Sequence, residues 1–299
     1  MFHGIIPPIA TPLTHDETID IDALRQLMAL NIAGGVHGIW VLGTTGRFDL
    51  VTDGEQRRLA EKVCEFADGQ VPLILNVSDM STKRVIEKAA CFDDLPYDAY
   101  AVLCPWYRDL SRNELTSFFN TLADELSKPV LIYNAPWVEN MLDFAHLQEL
   151  ADHPRIVGVK DVTTDFMRPT IWTKDQRQAA NYCYLHGTYM IHTSVSLGAD
   201  GFVNGLSGIF PELFVACWNA SSEGDSATAN QLQSQIVELT SGLSHGAQLA
   251  CLEVMARHRN VAQRINARPV AELDPAAAQR VLQAVERSGA LNSDLVNVA

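Results

Sequence analysis

Eight short apolar runs recur along the chain, each followed by a polar segment of helix length. This alternation predicts an α/β fold built from β-then-α units. Most runs are apolar at successive positions, which predicts strands buried on both faces, as in a parallel sheet. Eight such units within roughly 200 residues fit a closed (β/α)8 barrel better than an open sheet. An open dinucleotide-binding sheet would carry G-x-G-x-x-G after an early strand; neither that motif nor a Walker A sequence occurs.

The expected strands cover residues 5–10, 38–42, 73–77, 99–104, 130–134, 156–160, 182–186 and 201–204. Helices are expected near 20–34, 53–68, 81–93, 111–126, 143–152, 164–180 and 188–198. Capping residues mark several starts: Asp20, Thr52 or Asp53, Ser81, and Ser111 with Glu114 three positions on as a capping box. Beyond residue 225 the pattern is helical, over 226–243, 244–258 and 275–288, with Pro269 and Pro275 bracketing a short connection. No linker-like stretch intervenes. The expected organisation is therefore a catalytic barrel over 1–225 and a helical extension, 226–299, packed on it.

Composition narrows the function. The chain has 299 residues, 47% hydrophobic and 19% charged, which suits a large core and excludes wholesale disorder. No apolar run approaches the ~18 residues of a membrane span, and residues 1–4 lack the basic start of a signal peptide. Asn76-Val77-Ser78 and Asn219-Ala220-Ser221 match glycosylation acceptors, a reading without force in a chain with no export signal. The net charge of −14 argues against nucleic acid or an anionic membrane as partner. Six scattered cysteines, with no CxxC and no zinc spacing, fit reduced thiols in a cytoplasmic protein.

In a barrel, reactive groups sit where strands end. Lys160 ends the apolar run Ile156-Val157-Gly158-Val159 and shares a face with Gly158 and Ile156. If that face points inward, Gly158 leaves space beside the lysine stem. A lysine in such a dry interior has a lowered pKa, and its neutral amine can attack a carbonyl to form a Schiff base. The spacing alone admits a second reading, a lysine emerging into solvent. Thr44 and Thr45, between Gly43 and Gly46, offer hydroxyls and backbone N–H groups to a carboxylate, or simply form a strand-to-helix turn. Tyr133 ends the preceding strand and can relay protons, or serve as a core tyrosine.

Together these strand ends resemble the dihydrodipicolinate synthase / N-acetylneuraminate lyase family of Schiff-base (class I) aldolases. Gly4-Ile5-Ile6-Pro7 with Thr11-Pro12 is similar to its opening strand. Gly38-Ile39-Trp40-Val41-Leu42-Gly43-Thr44-Thr45-Gly46, with Glu55 beyond, resembles its first signature. Tyr133-Asn134-Ala135-Pro136 and Ile156-Val157-Gly158-Val159-Lys160-Asp161 resemble the second, and Gly198-Ala199-Asp200-Gly201-Phe202-Val203 the eighth-strand segment.

The resemblance implies no metal, no organic cofactor, and a 2-oxo acid substrate, commonly pyruvate. By it, Lys160 attacks the keto carbon, Tyr133 relays protons, Thr44 and Thr45 hold the carboxylate, and Val203 lines the pocket. Tyr107 reaches across a subunit interface into the neighbouring site of a homodimer or homotetramer. Two positions depart from the family pattern. Arg47 stands where a glutamate usually follows the turn, and Val138 where the lysine-pathway synthases carry an arginine for the aldehyde's carboxylate. The expected activity is a lyase, aldolase or dehydratase acting on pyruvate or a 2-oxo-3-deoxy sugar acid. The alternatives are 4-hydroxy-tetrahydrodipicolinate synthase with a modified aldehyde site and a non-catalytic metabolite-binding homologue. Arg47 is expected either to recognise a second acidic or strongly polar group of the substrate, or to point to solvent or pair with a surface acid such as Asp49.

Overall fold

Eight strands carry the fold in the computed structural model: β1 (Gly4–Ile5), β2 (Ile39–Val41), β3 (Leu73–Asn76), β4 (Ala99–Leu103), β5 (Val130–Asn134), β6 (Ile156–Asp161), β7 (Cys183–His186) and β8 (Gly201–Phe202). The structure describes residues 2–244 and 246–291; Met1, His245 and residues 292–299, the tail of the expected extension, lie outside them. All strand pairs are parallel, in the order β1-β8-β7-β6-β5-β4-β3-β2. β1 is short because Pro7 and Pro8 follow it and lack an N–H. The chain nevertheless continues alongside β2: His37 N donates to Ile5 O at 2.8 Å, Trp40 N to Pro7 O at 2.9 Å, and Ile9 N to Trp40 O at 2.9 Å. The two edges of the sheet are thereby tied together.

Curvature also follows from one side-chain contact. In sheet order β6 and β2 are separated by β5, β4 and β3, which on a flat sheet means four spacings of ~4.8 Å, roughly 19 Å. Yet Lys160 Nζ on β6 lies 5.1 Å from the centre of the Trp40 ring on β2. The sheet therefore curls, with both residues on its concave face. Trp40 is aligned with Ile74, Asn76 with Ala101, and Tyr133 with Lys160. Aligned residues of parallel strands share a face, so Asn76 and Tyr133 are on that concave face too.

Helices cover the outside: α1 (Ile21–Ala33), α2 (Asp53–Ala67), α3 (Thr82–Ala90), α4 (Arg112–Glu125), α5 (Phe144–Leu150), α6 (Arg168–Ile171), α7 (Lys174–Ala179), α8 (Ile191–Ser196) and α9 (Pro211–Glu223). Asp20 and Ser81 cap α1 and α3 through their side chains, and Ser111 with Glu114 forms the capping box of α4. Thr52 takes the cap position of α2 without a side-chain bond. Three helices follow, α10 (Ser226–Thr240), α11 (Gln248–His258) and α12 (Pro275–Ser288). They are tied back to the sheet end by Leu13 N donating to Arg264 O at 2.9 Å and by Arg259 Nη1 donating to Glu212 Oε2 at 3.0 Å.

Two elements differ from the sequence expectation. The helix expected over 164–180 is two short ones, because Thr173 starts a second helix: its N–H donates to Gln176 Oε1 at 3.0 Å in a capping box. Helix α9, which follows the eighth strand and packs against β1, was not among the expected helices. Its punctuation is present in the sequence, Pro211 in the first turn and Gly224 as a left-handed cap at φ 81°.

Candidate active site

Because every strand pair is parallel, the segments that follow the strands gather at one end. Lys160 is the penultimate residue of β6, and only 5% of it is exposed. Its amine lies 4.1 Å from the Tyr133 ring centre and 5.1 Å from that of Trp40. Among the described residues no carboxylate pairs with it. Removing a cation from water without a counter-charge favours the neutral amine, and burial pulls the Lys160 pKa down to about 7. The solvent-emerging reading of Lys160 is thus corrected.

Gly158 has a different reason from the one expected. A Cβ there would come within 2.4 Å of Cys183 Sγ and 2.6 Å of Cys183 O. The glycine makes room for Cys183 of β7, not for the lysine stem.

Tyr133 is buried and aligned with Lys160. Its hydroxyl shares a 3.0 Å hydrogen bond with Thr44 Oγ1. Burial pushes the phenol above its ordinary pKa, and the Thr44 bond opposes that only in part. The residues flanking the Gly43–Gly46 turn sit in the left-handed region, Leu42 at φ 55° and Arg47 at φ 56°. A Cβ on Gly46 would lie 3.1 Å from the Leu42 backbone, so the turn is tight because this glycine allows it. Thr45 is buried beside Gly205, where an added Cβ would meet Thr45 Oγ1 at 3.1 Å.

Arg47 is only 7% exposed. Its Nη2 pairs with the half-exposed Asp49 at 3.1 Å, while its Nε is buried with no partner among the described residues. The Asp49 pairing is one of the two expectations for this residue, but the side chain does not project into solvent. Val203, just beyond β8, is buried, and its N–H donates to His186 O at 3.1 Å. Tyr107, after β4, is 76% exposed, with the Arg108 guanidinium carbon 5.7 Å from its ring centre. Lys160, Tyr133 and Thr44 are thus directly linked, and Tyr107 stands at the surface.

Several further residues surround this centre; Val138 and Glu55 were singled out from the sequence, and Trp40, Trp137 and Asn140 were not. Trp40 stands in T-shaped contact with Tyr133, ring centres 5.6 Å apart. Exposed Trp137 also meets Tyr133 in a T-shaped contact, ring centres 6.2 Å apart. Val138 is buried. Asn140 ties the loop after β5 to the loop after β4, accepting from Leu110 N at 2.8 Å and donating to Pro105 O and Arg108 O at 2.6 Å each. Behind the concave face, Asp161 accepts from Arg168 Nη1 at 2.9 Å and from the Tyr184 hydroxyl at 2.7 Å, anchoring the strand that presents Lys160. Glu55 Oε2 accepts from Ile19 N at 2.6 Å. Cys104 is buried, and burial pushes its thiol up to about 12, unsuited to nucleophilic attack. Among the described residues, no three His, Cys, Asp or Glu side chains gather as a metal-binding group, and no helix is long and apolar enough to cross a membrane.

Chemically, this is a dry amine beside a phenol that is hydrogen-bonded to a hydroxyl-bearing turn. The chain matches the dihydrodipicolinate synthetase family over residues 1–288. It is 30% identical over 297 residues to a 4-hydroxy-tetrahydrodipicolinate synthase of Phenylobacterium zucineum, covering 97% of this chain and 98% of the relative. It is also 30% identical over 243 residues to an Escherichia coli protein named "Probable 2-dehydro-3-deoxy-D-pentonate aldolase", covering 80% of each chain. Among solved structures it is similar to dihydrodipicolinate synthase of Bacteroides thetaiotaomicron, with a TM-score of 0.88 and 28% identity over 96% of this chain and 98% of that one. With the motif order, the sheet and the match along nearly its whole length in agreement, the chain belongs to the dihydrodipicolinate synthetase family.

Proposed function

We propose that Lys160 is the Schiff-base residue of a lyase acting on a 2-oxo acid, with pyruvate or a 2-oxo-3-deoxy sugar acid as the substrate class. Membership of the family makes the chain a class I, aldolase-type lyase. The observation that carries the site reading is the Lys160 amine, buried against two aromatic rings and aligned with a tyrosine whose hydroxyl meets Thr44. The neutral amine attacks the keto carbon. Tyr133, exchanging protons with Thr44, protonates the departing oxygen so that water leaves and the imine forms. With a 2-oxo-3-deoxy sugar acid, the protonated imine then accepts the electron pair of the C3–C4 bond while the C4 hydroxyl gives up its proton and that fragment leaves as an aldehyde; the resulting enamine takes up a proton at C3, and hydrolysis frees pyruvate and the lysine.

In this reading Thr44 and Thr45 hold the substrate carboxylate and Val203 walls the pocket. The unpartnered Arg47 Nε faces a second acidic or strongly polar group. Tyr107 completes the site of a neighbouring subunit in a dimer or tetramer. The fold is read as a (β/α)8 barrel over 1–225 with a helical extension from 226, working in the cytoplasm without metal or cofactor.

A second reading is 4-hydroxy-tetrahydrodipicolinate synthase, favoured by the relative matched along almost its whole length. Val138 weighs against it, since a valine offers a carboxylate no bidentate partner. Losing such a contact costs on the order of 2–4 kcal/mol, roughly 30- to 1,000-fold. The deciding experiment screens sugar acids for pyruvate release and assays condensation of pyruvate with aspartate semialdehyde in parallel. Pyruvate release from a 2-oxo-3-deoxy sugar acid, with feeble condensation, supports the first reading; condensation at the rate of a dedicated synthase overturns it.

A further inference from the structure

Buried N–H groups almost always find an acceptor, so one that has none within the protein points to something outside it. Among the described residues, two buried donors of the concave face have no such acceptor: Trp40 Nε1 and Asn76 Nδ2. Both side chains are fully buried. They stand on neighbouring strands, Trp40 being aligned with Ile74, two residues before Asn76.

The orientation of the Asn76 amide follows from its neighbours. Leu103 N donates to Ser78 Oγ at 2.7 Å, which leaves the Ser78 hydroxyl to donate to Asn76 Oδ1 at 2.6 Å. The free end of the amide is therefore its NH2. Trp40 Nε1 lies beside Gly43, where an added Cβ would come within 3.1 Å of it. Gly43 opens the turn that carries Thr44 and Thr45, and the Trp40 ring borders the Lys160 amine.

We propose that Trp40 Nε1 and Asn76 Nδ2 are specificity-determining donors for the carboxylate of the 2-oxo acid held at Lys160, acting beside the hydroxyls of Thr44 and Thr45. This rests on the Schiff-base reading above. Position favours the carboxylate over the rest of the substrate. Trp40 and Asn76 belong to neighbouring strands beneath the loops, and the Trp40 ring borders the amine that attacks, so donors at this level face atoms next to the reacting carbon. Arg47, Trp137 and Val138 are on the loops, where the variable remainder would lie. Chemistry favours it as well. Lys160 is uncharged when it attacks, so it cannot serve the carboxylate as a counter-ion. The anion must be met by dipoles, and two bare N–H groups supply them.

The test compares pyruvate with methyl pyruvate, whose ester carries no charge. Borohydride trapping at Lys160 is measured against concentration for the wild type, Trp40→Phe and Asn76→Ala. Trp40→Phe keeps an aromatic ring against Lys160 and deletes the N–H together with part of the indole; the uncharged ester separates the lost donor from the lost volume. Each variant should need about 10-fold more pyruvate for half-maximal trapping, and less than ~2-fold more methyl pyruvate. The yield at saturating pyruvate should be unchanged. Equal shifts for both compounds, or no shift for either, overturn the proposal. Should one variant fail to fold, the other decides alone. A wild type that forms no adduct at Lys160 with any 2-oxo acid contradicts the Schiff-base reading instead, so the two failures are distinguishable.

Discussion

The Lys160 amine lies 4.1 Å from the centre of the Tyr133 ring, whose hydroxyl in turn shares a 3.0 Å hydrogen bond with Thr44. The phenol is thus held between the nucleophile and a hydroxyl that can pass its proton on. Tyr133→Phe keeps the ring against Lys160 and removes the relay. It should lower kcat by about 100- to 10,000-fold, with a smaller effect on KM. Steady-state kinetics check this; a loss below ~10-fold would take the proton relay away from Tyr133.

Burial of Lys160 has opposite consequences for catalysis and stability. Activity should rise as pH climbs through about 7, where the folded-state amine loses its proton. In the unfolded chain the amine holds its proton up to about 10.4. Between those values the unfolded state binds more protons, so stability rises with pH, and the penalty is largest below about 7. Lys160→Met should therefore be inactive but more stable at neutral pH, by ~1–4 kcal/mol, with the gap narrowing as pH approaches about 10. Denaturant melts of both proteins across that range check the sign. A gap that widens with pH would mean that Lys160 is charged in the fold.

Arg47 combines burial, an ion pair to Asp49 and a free Nε. Arg47→Glu should raise KM for the preferred acidic or polyhydroxy substrate by more than ~10-fold while leaving pyruvate trapping at Lys160 intact. A variant that handles every substrate like the wild type would reduce Arg47 to a partner of Asp49.

Tyr107 is 76% exposed in the single chain. If it serves a neighbour's site, Tyr107→Phe and Lys160→Ala subunits, each weak alone, should recover activity when mixed and allowed to exchange. Absence of recovery in subunits shown to exchange would remove Tyr107 from a shared site.

The strand positions were legible because β3, β4, β5 and β7 are buried throughout and β6 at all but Val157, so each reads as an apolar run up to its polar end. Lys160 and Tyr133 were legible because polar groups at the ends of such runs stand out. Helix α9 was not: its sequence, PELFVACWNASSE, is apolar over most of its length and follows a strand of only two residues, so periodicity gave no edge. Its Pro–Gly punctuation was the available signal. Trp40 reads as one more apolar strand residue, and only the curl of the sheet brings it to Lys160. Asn76 matched a glycosylation acceptor, while its actual setting, buried with a bare amide, depends on Ser78 and Leu103. Gly158 was assigned to the wrong neighbour because its close contact, Cys183, is on another strand.

Imine formation at Lys160 is read out by incubation with pyruvate and borohydride, followed by intact mass and peptide mapping. One covalent ligand per chain is expected, on the peptide containing Lys160, and none in Lys160→Arg, whose guanidinium stays protonated. A ligand on another lysine, or no adduct with any 2-oxo acid offered, would contradict it.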